Sequence, residues 1–219
     1  MKFFSVDNAG NAEPVKSQLV QVDTTAPTTT ISCNSAACST GWYKSTPLSV
    51  ALSANDNNGG SGVRTTMYTT DGSNPQTSPT AFVYSAPFTV SQTTTVKFYS
   101  TDNAGNSESV KSQTIQVDAA APTVSITSPA SGSSFTRGAK VTVTASATDL
   151  GTGSGKPSGI ASVTFYLDGT TKLATDTTSP YSFSWNTSGV TRATHKLTAV
   201  ATDLAGNSTT SAVISVTIK

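Results

Sequence analysis

Short runs of alternating apolar and polar residues cover most of the chain. The runs are rich in Thr, Val and aromatic residues, and turn residues separate them about every 8 to 12 positions. This pattern is typical of half-buried β-strands. No run has the period of a helix. Strands are predicted near Thr28–Cys33, Leu48–Asn55, Val63–Thr70, Phe82–Tyr84, Phe88–Val90, Thr94–Thr101, Lys111–Val117, Val124–Thr127, Lys140–Ala147, Ala161–Leu167, Lys172–Asp176, Tyr181–Trp185, His195–Thr202 and Ser211–Ile218.

One segment of the chain occurs three times. Residues 2–23 return as residues 97–118 with 16 of 22 positions identical, and a weaker copy occupies residues 197–218. A period of about 100 residues is the size of a domain and far longer than a solenoid repeat of 20 to 50 residues. Seven predicted strands fall in each complete period, the number in an immunoglobulin-like sandwich. The sequence therefore predicts an all-β chain of tandem immunoglobulin-like antiparallel β-sandwiches.

The repeated segment is predicted to be the last hairpin of each domain. It has two strand-like runs around an Asp-x-Ala-Gly-Asn turn, in which Gly supplies the positive φ. Ala-Pro follows the first two copies and favours an extended linker. The predicted units are residues 1–23, 24–118 and 119–219, the first being only the last hairpin of an earlier repeat. Because a lone hairpin is marginal in water, we expect it to fold back on the next domain or to pair with another chain by strand exchange.

Composition argues against several partners. Net charge is +1, and the 13 Lys and Arg residues form no basic cluster, so the sequence carries no signature for nucleic acid or an anionic membrane. No apolar run reaches the roughly 20 residues of a membrane-spanning helix. The Gly-rich segments 58–62 and 151–155 follow no strand-to-helix phosphate-binding pattern and are predicted to be flexible loops.

The two cysteines, Cys33 and Cys38, lie five positions apart. Nothing in the sequence completes a four-ligand metal site with them, so a local disulfide is the favoured interpretation and two reduced thiols the alternative. A disulfide in a small domain predicts an extracellular location, either secreted or at the cell surface.

Aspartates recur at matching places in the repeats. Two follow the second strand of a domain, two open the last hairpin turn and two precede a linker proline. In an immunoglobulin-like sandwich these places share one pole, so three carboxylates are expected at each domain entrance. Calcium prefers such oxygen ligands, with Asn57 and Asn103 as natural helpers, and no other cofactor is expected. The alternative is that each aspartate caps its own turn. The six residues are Asp23, Asp56, Asp102, Asp118, Asp149 and Asp203.

Aromatic side chains are the candidates for carbohydrate binding. Trp42 and Tyr43 follow the cysteines in a segment with no strand pattern, so they are predicted either to form a glycan platform or to pack under the loop. Trp185 alternates with other aromatics in a strand and is expected in a core. The single histidine, His195, has no recognisable nucleophile and acid around it. The chain is therefore predicted not to be an enzyme.

Two stretches resemble known families. Tyr68 to Asn106, with YTTDGSNP and the closing DNAGN, looks like the chitobiase/β-hexosaminidase C-terminal-type domain, a fibronectin-III-like module of bacterial secreted proteins. The segments TSPASGSSF, SGIASVTFYLDGT, YSFSWNTSG and ATDLAGN resemble bacterial Ig-like domains. The resemblances imply a spacer or stalk module of a larger surface or secreted protein, with neighbouring repeats as partners. The alternative they imply is an adhesin or accessory module that binds a polysaccharide or cell-surface ligand.

Overall fold

The computed structural model describes residues 1–151 and 155–219. All regular elements in these ranges are β-strands, so the predicted fold class is confirmed. Part of the predicted loop 151–155 lies outside the described residues. An amino-terminal hairpin pairs β1 (Lys2–Phe3) with β2 (Lys16–Ser17) in antiparallel register.

The first sandwich, residues 28–117, stacks a four-stranded sheet on a five-stranded sheet. Its strands are β3 (Thr28–Cys33), β4 (Ala36–Ala37), β5 (Trp42–Tyr43), β6 (Leu48–Asn55), β7 (Val63–Thr69), β8 (Phe82–Val83), β9 (Phe88–Val90), β10 (Thr94–Asp102) and β11 (Lys111–Val117). The sheet orders are β4-β3-β6-β9 and β5-β11-β10-β7-β8. Alternate residues of the longer strands point inward, as in β10, where Val96, Phe98, Ser100 and Asp102 are buried.

The second sandwich, residues 123–218, repeats this plan. Its strands are β12 (Thr123–Ser128), β13 (Ser133–Phe135), β14 (Lys140–Thr148), β15 (Ile160–Leu167), β16 (Thr171–Asp176), β17 (Ser182–Asn186), β18 (Thr194–Asp203), β19 (Ser208–Thr210) and β20 (Ile214–Ile218). The sheets are β12-β14-β17 and β13-β20-β18-β15-β16, with β19 paired to β18. Its core includes Phe165 and Leu197, both fully buried, and Trp185, as the strand pattern predicted.

Two predictions about strands are wrong. Trp42 and Tyr43 are not in a loop, because β5 pairs in parallel with the otherwise open edge of β11. The predicted strand Ser211–Ile218 instead begins at Ile214, the first residue of β20, and residues 211–213 form a break after β19. The reason is Ser211, whose hydroxyl takes the place of a ladder carbonyl by accepting the Ala199 N–H at 3.0 Å.

Candidate functional site

The first acidic pole lies at the entrance of the first sandwich. Asp23 precedes β3, Asp56 follows β6, and Asp102 is the last residue of β10. The structure brings one carboxylate oxygen of each within 4.8 Å of the others. Asp102 is fully buried and the other two are half-buried.

Backbone amides hold these carboxylates in place. The Asp102 carboxylate accepts the N–H and the side-chain amide of Asn106, both at 2.8 Å, and so caps its own turn. Asp56 Oδ2 accepts the Gly62 N–H at 2.7 Å, and Asp23 Oδ2 accepts the Ser61 N–H at 2.7 Å. The hydrogen bond from the Ser61 amide is the largest cause of a pKa for Asp23 lowered to about 2.

The second acidic pole repeats the arrangement at the entrance of the second sandwich, where Asp118, Asp149 and Asp203 each bring a carboxylate oxygen within 4.8 Å of the others. Asp118 Oδ2 accepts the Ser158 N–H at 2.7 Å, as Asp23 does with Ser61. Burial alone would raise the pKa of the Asp118 carboxyl, but the hydrogen bonds from Ser158 outweigh burial and lower the pKa. Asp23 and Asp118 thus accept corresponding serine amides at the two poles.

The first pole fits a hard divalent cation in the spacing of its oxygens. Oxygens of one calcium shell bond the ion at about 2.3–2.6 Å and therefore lie within roughly 5 Å of one another. Among the described residues no Lys, Arg or His forms an ion pair with Asp23, Asp56 or Asp102. Three carboxylates this close repel one another, and a bound cation would remove that repulsion.

The two predicted helper residues differ in position. The amide nitrogen of Asn57 approaches Asp23 Oδ1 at 3.4 Å, and a side chain at Gly60 would collide with the Asn57 and Asp56 side chains. The amide of Asn103 instead donates to the carbonyls of Ser61 and Gly62 at 2.9 and 3.1 Å. Asn57 therefore lies at the carboxylates, whereas Asn103 braces the loop beside them.

Each pole also fixes the segment that enters it. The side-chain amide of Asn106 donates to the Asp23 carbonyl at 3.1 Å, and that of Asn207 donates to the Asp118 carbonyl at 2.9 Å. This role of the asparagine was not predicted, although the signal was present in the sequence. Asn closes the Asp-x-Ala-Gly-Asn turn in every copy of the repeat.

Asp118 belongs to both sandwiches at once. Its N–H donates to the Tyr43 carbonyl of β5 at 2.9 Å and so extends the β5–β11 pair of the first sandwich. Its carboxylate accepts the Ser158 N–H, and its carbonyl accepts the Asn207 amide, both in the second sandwich. The next residue but one, Ala120, also donates its N–H to the Asp118 carboxylate at 3.1 Å. Asp118 is therefore hydrogen-bonded to both sandwiches at the joint between them.

The disulfide prediction is confirmed, because Cys33 and Cys38 are joined. Trp42 and Tyr43 beside it are half-buried, and Tyr43 packs against the first core while its hydroxyl accepts the Ser39 N–H at 2.7 Å. This is the packing alternative for Tyr43; a glycan platform at Trp42 and Tyr43 stays a prediction.

A different aromatic cluster lies at the β8 edge of the first sandwich. Tyr68 stacks on Phe88 with centroids 4.4 Å apart and also contacts Phe82 and Tyr84 at 5.5 and 6.2 Å. Phe82 is 54% exposed. Sequence reasoning missed this cluster because its members lie on three strands, β7, β8 and β9, and in the loop after β8.

His195 has an acidic neighbour that the sequence did not reveal. Its Nδ1 lies 2.8 Å from Asp168 Oδ2, and its Nε2 lies 2.9 Å from the Thr191 carbonyl and 3.2 Å from the Thr191 hydroxyl. A carbonyl only accepts, so Nε2 carries a proton and donates to it. Nε2 in this state is not a base for the hydroxyl, and the contacts hold the loop that precedes β18.

The fold and its repeats define the class of protein, tandem immunoglobulin-like β-sandwiches. Residues 38–112 match the family model described as the chitobiase/beta-hexosaminidase C-terminal domain, and residues 122–199 match the bacterial Ig domain. Both family models are Ig-like, and they match in the order that the sequence resemblance predicted. No curated protein matches the chain.

Several solved structures are similar to parts or all of the chain. The fibronectin(III)-like modules of Clostridium thermocellum CbhA share 28% identity over 44% of this chain and 96% of theirs, with a TM-score of 0.38. A tetra-tandem repeat from the extending region of a large adhesion protein shares 16% identity over 97% of this chain and 55% of its own, with a TM-score of 0.38. A structure of a 1.5-MDa bacterial ice-binding adhesin shares 18% identity over 99% of this chain and 73% of its own, with a TM-score of 0.35. All three TM-scores are below 0.5, so no function is transferred from them.

No helix among residues 1–151 and 155–219 is long and apolar enough to cross a membrane.

Proposed function

We propose that the chain is a non-catalytic spacer of a larger extracellular protein, in which tandem sandwiches are held at fixed joints. The observation that carries the proposal is Asp118, which bonds to Tyr43 in one sandwich and to Ser158 and Asn207 in the other. A flexible linker leaves its backbone groups to water, whereas here the connecting residue is buried and bonded on both sides. Such a joint transmits orientation from one repeat to the next.

The extracellular location is supported by two observations. The chain has a disulfide in a short loop, and disulfides persist in oxidising compartments. Residues 122–199 of the second sandwich match the bacterial Ig domain family model. The partners of each repeat in this proposal are its neighbours in the same chain.

Small-angle X-ray scattering tests the spacer proposal. For the unmodified chain we expect a narrow distribution of the radius of gyration that does not change with temperature while both sandwiches stay folded. A reference chain with Gly-Ser-Gly inserted between Ala119 and Ala120 leaves both sandwiches intact and should give a broad distribution. Equal breadth for the two chains would refute a fixed joint.

Calcium is the proposed second element of the joint. The spacing of the three oxygens at each pole, and the absence of an ion pair to the first set among the described residues, support a divalent cation there. Binding would neutralise the carboxylates and tighten the entering segment through Asp23 or Asp118.

Calorimetric titration with calcium tests this element. We expect about two ions per chain, a higher melting temperature than in chelator, and loss of both effects in Asp102→Asn, Asp203→Asn. The matched control is Asp176→Asn, since Asp176 caps the turn at Thr178 and lies outside both poles. No heat and no shift in melting temperature would leave the aspartates as turn caps alone.

The second candidate function is glycan binding, as in an adhesin or an accessory module. The exposed Phe82 within the aromatic cluster favours it, because sugar rings pack on exposed aromatic faces. Pull-down on insoluble polysaccharides would test it, with Phe82→Ala and Trp42→Ala as the variants. Retention that depends on Phe82 would support binding at the β8 edge, and dependence on Trp42 would support the Trp42–Tyr43 platform.

A further inference from the structure

The loop that follows β6 contains the Asn-Gly pair Asn58–Gly59, and the sequence has no other pair of this kind. The two residues form the centre of a turn, in which the Gly60 N–H donates to the Asn57 carbonyl at 3.0 Å. Asn58 and Gly59 are both exposed, and Gly59 has a φ of +83°. The pair therefore lies at the tip of a turn, in contact with solvent.

The tip leaves the Gly59 nitrogen free to react with the Asn58 side chain. Among the described residues, none is hydrogen-bonded to the Gly59 N–H or to the Asn58 side-chain amide. A side chain at Gly59 would meet no atom within 4 Å, so the space around the tip is open. Glycine also has no Cβ to obstruct the approach of its own nitrogen to a neighbouring carbon atom. Both reacting groups can therefore move towards each other.

Asn103, in the neighbouring turn, shows the contrasting arrangement. Its side-chain amide donates to the Ser61 and Gly62 carbonyls at 2.9 and 3.1 Å. The next residue is Ala104, whose N–H donates to the Ser61 hydroxyl at 3.0 Å. Both groups that would have to react at Asn103 are thus hydrogen-bonded, and the alanine has a Cβ. An intramolecular reaction is therefore expected at Asn58 and not at Asn103.

We propose that Asn58 is a site of spontaneous deamidation, which loosens the entrance of the first sandwich. The Gly59 nitrogen forms a bond with Cγ of Asn58, the bond from Cγ to the side-chain nitrogen breaks, and ammonia leaves with the proton of the Gly59 N–H. Water then opens the five-membered imide at one of its two carbonyls. One opening gives aspartate, and the other gives isoaspartate, in which the main chain runs through Cγ. The only co-reactant is water.

Isoaspartate would lengthen a loop that has little spare room. The main chain gains one carbon–carbon bond, about 1.5 Å. A Cβ at Gly60 would lie 2.0 Å from Asn57 Oδ1 and 2.6 Å from Asp56 Oδ2, so the turn cannot shift towards these side chains. The added atom is therefore expected to displace the residues that follow, Ser61 and Gly62.

Ser61 and Gly62 hold the first acidic pole. The Ser61 N–H donates to Asp23 and the Gly62 N–H to Asp56, both at 2.7 Å. Asp23 lies in the segment that enters the sandwich, so loss of the bond from Ser61 would release that segment. Each product of the reaction also adds a carboxylate to this loop and lowers the formal net charge of the chain from +1 to 0.

The change is confined to one of the two poles. Residues 149–159, which form the corresponding loop of the second sandwich, contain no asparagine. The reaction runs in one direction because ammonia is lost to the solvent. The two entrances of the chain are therefore expected to differ increasingly with age. The inference depends neither on the spacer function nor on calcium.

Incubation of the full chain in water enriched in heavy oxygen, at neutral to mildly alkaline pH, tests the modification site. Peptide mass spectrometry then measures heavy-oxygen incorporation at each asparagine. We expect incorporation at Asn58 to be at least tenfold faster than at Asn103, and an acidic form of the chain to appear at the same rate on ion exchange. Asn58→Gln should abolish that form. Incorporation at Asn58 no faster than at Asn103 would overturn the proposal.

Amide hydrogen exchange on the separated acidic forms tests the effect on the entrance. In the isoaspartate form, the Ser61 and Gly62 N–H groups should exchange at least tenfold faster than in the fresh chain, whereas those of Ser158 and Gly159 at the second pole should be unchanged. Freshly purified Asn58→Asp is the matched control, because it adds the charge without lengthening the main chain. Its exchange should stay within threefold of the fresh chain. Unchanged exchange in the isoaspartate form, or equal acceleration in Asn58→Asp, would overturn the proposed loosening.

Discussion

The two complete sandwiches place different chemistry at four corresponding inner positions. In the first, these residues form a hydrogen-bonded network around a buried carboxylate: Thr29, Thr66, Ser100 and Glu108. In the second, strand pairing puts mainly apolar residues at the same places: Val124, Val163, Ala201 and Thr209. The order of the strands that both sandwiches share is the same, so this order does not depend on the network.

The network determines which partner strands fit. Burial alone would raise the pKa of the Glu108 carboxyl, but hydrogen bonds from Lys111 and Thr29 outweigh it and lower the pKa. The carboxylate is therefore ionised and accepts bonds from two strands of one sheet and a residue of the other. An apolar core accepts any side chain of suitable volume, whereas a buried carboxylate requires donors at defined places. At these four positions the first sandwich therefore selects its neighbouring strands by hydrogen bonding as well as by packing, whereas the second selects them mainly by packing.

Removing the carboxylate is expected to have the largest effect. Glu108→Ala leaves the Thr29 and Ser100 amides without their acceptor and should destabilise the first sandwich by about 3 kcal/mol. The second sandwich should be unchanged. Each sandwich has one tryptophan, Trp42 or Trp185, so urea unfolding followed in Trp42→Phe and Trp185→Phe backgrounds separates the two transitions.

The matched control is Thr209→Ala, which should change the second transition by about 0.5 kcal/mol or less. A similar loss of stability from Glu108→Ala and Thr209→Ala would mean that the network does not stabilise the first sandwich more than an ordinary side chain stabilises the second.

Exchanging the whole network should reverse that loss. Thr29→Val, Thr66→Val, Ser100→Ala and Glu108→Thr together give the first sandwich the interior of the second. Replacement of a buried ionic network by packed apolar residues is often neutral or stabilising by about 1 to 4 kcal/mol. We expect the quadruple variant to be at least as stable as the unmodified chain in the same unfolding experiment. A stability no better than that of Glu108→Ala would show that the fold of the first sandwich requires the network.

The disulfide affects only the first sandwich. Opening the short Cys33–Cys38 loop should cost about 2 kcal/mol, since a small loop gains little from closure. Cys33→Ser with Cys38→Ser should lower the first unfolding transition and leave that of Trp185 in place. A shift in both transitions would contradict the assignment of the disulfide to one sandwich.

The smallest expected effect is a pH dependence confined to the second sandwich. The hydrogen bond to Asp168 is the largest cause that raises the pKa of His195, and burial opposes it. A raised pKa stabilises the fold below the unfolded value of 6.5, and this contribution is lost as pH rises through the folded pKa.

Asp168 sets the lower limit of this pH window. Burial would raise the pKa of its carboxyl, but hydrogen bonds from the Lys196 amide and His195 outweigh it, so the contribution is lost as pH falls below about 4. Because the Asp168 side chain is 49% exposed, the pair should contribute less than about 1 kcal/mol between these limits. Unfolding of His195→Gln against pH, read at Trp185, checks this. An unchanged pH profile would refute the role of the pair.

The sequence predicted the strands well where alternation is regular. β3, β6, β9 and β11 begin and end at the predicted residues. It missed β5 and β13, because two or three residues paired in parallel to a distant edge leave no periodic pattern. It also did not anticipate the break at Ser211, where a side-chain hydroxyl replaces a backbone acceptor.

The candidate sites also combine residues that the sequence predicted with contacts that it did not predict. Repetition was enough to select the six aspartates that the structure gathers in two sets. The pairings Asp23 with Ser61 and Asp118 with Ser158 join residues about 40 positions apart, and no local pattern predicts them. The aromatic cluster around Tyr68 likewise arises from the pairing of β7 with β8 and the packing of β7 against β9 of the facing sheet. The Asp168–His195 pair arises from the pairing of β15 with β18.

The proposed fixed joint at Asp118 is tested most directly by the distance between two spin labels, one on each sandwich. Ser112→Cys and Ser182→Cys lie on exposed strand positions and leave the native disulfide untouched. We expect one narrow distance distribution, which becomes broad when Gly-Ser-Gly is inserted between Ala119 and Ala120 and of intermediate width in Asn207→Ala. A broad distribution in the unmodified chain, no narrower than in the insertion variant, would rule out a fixed joint.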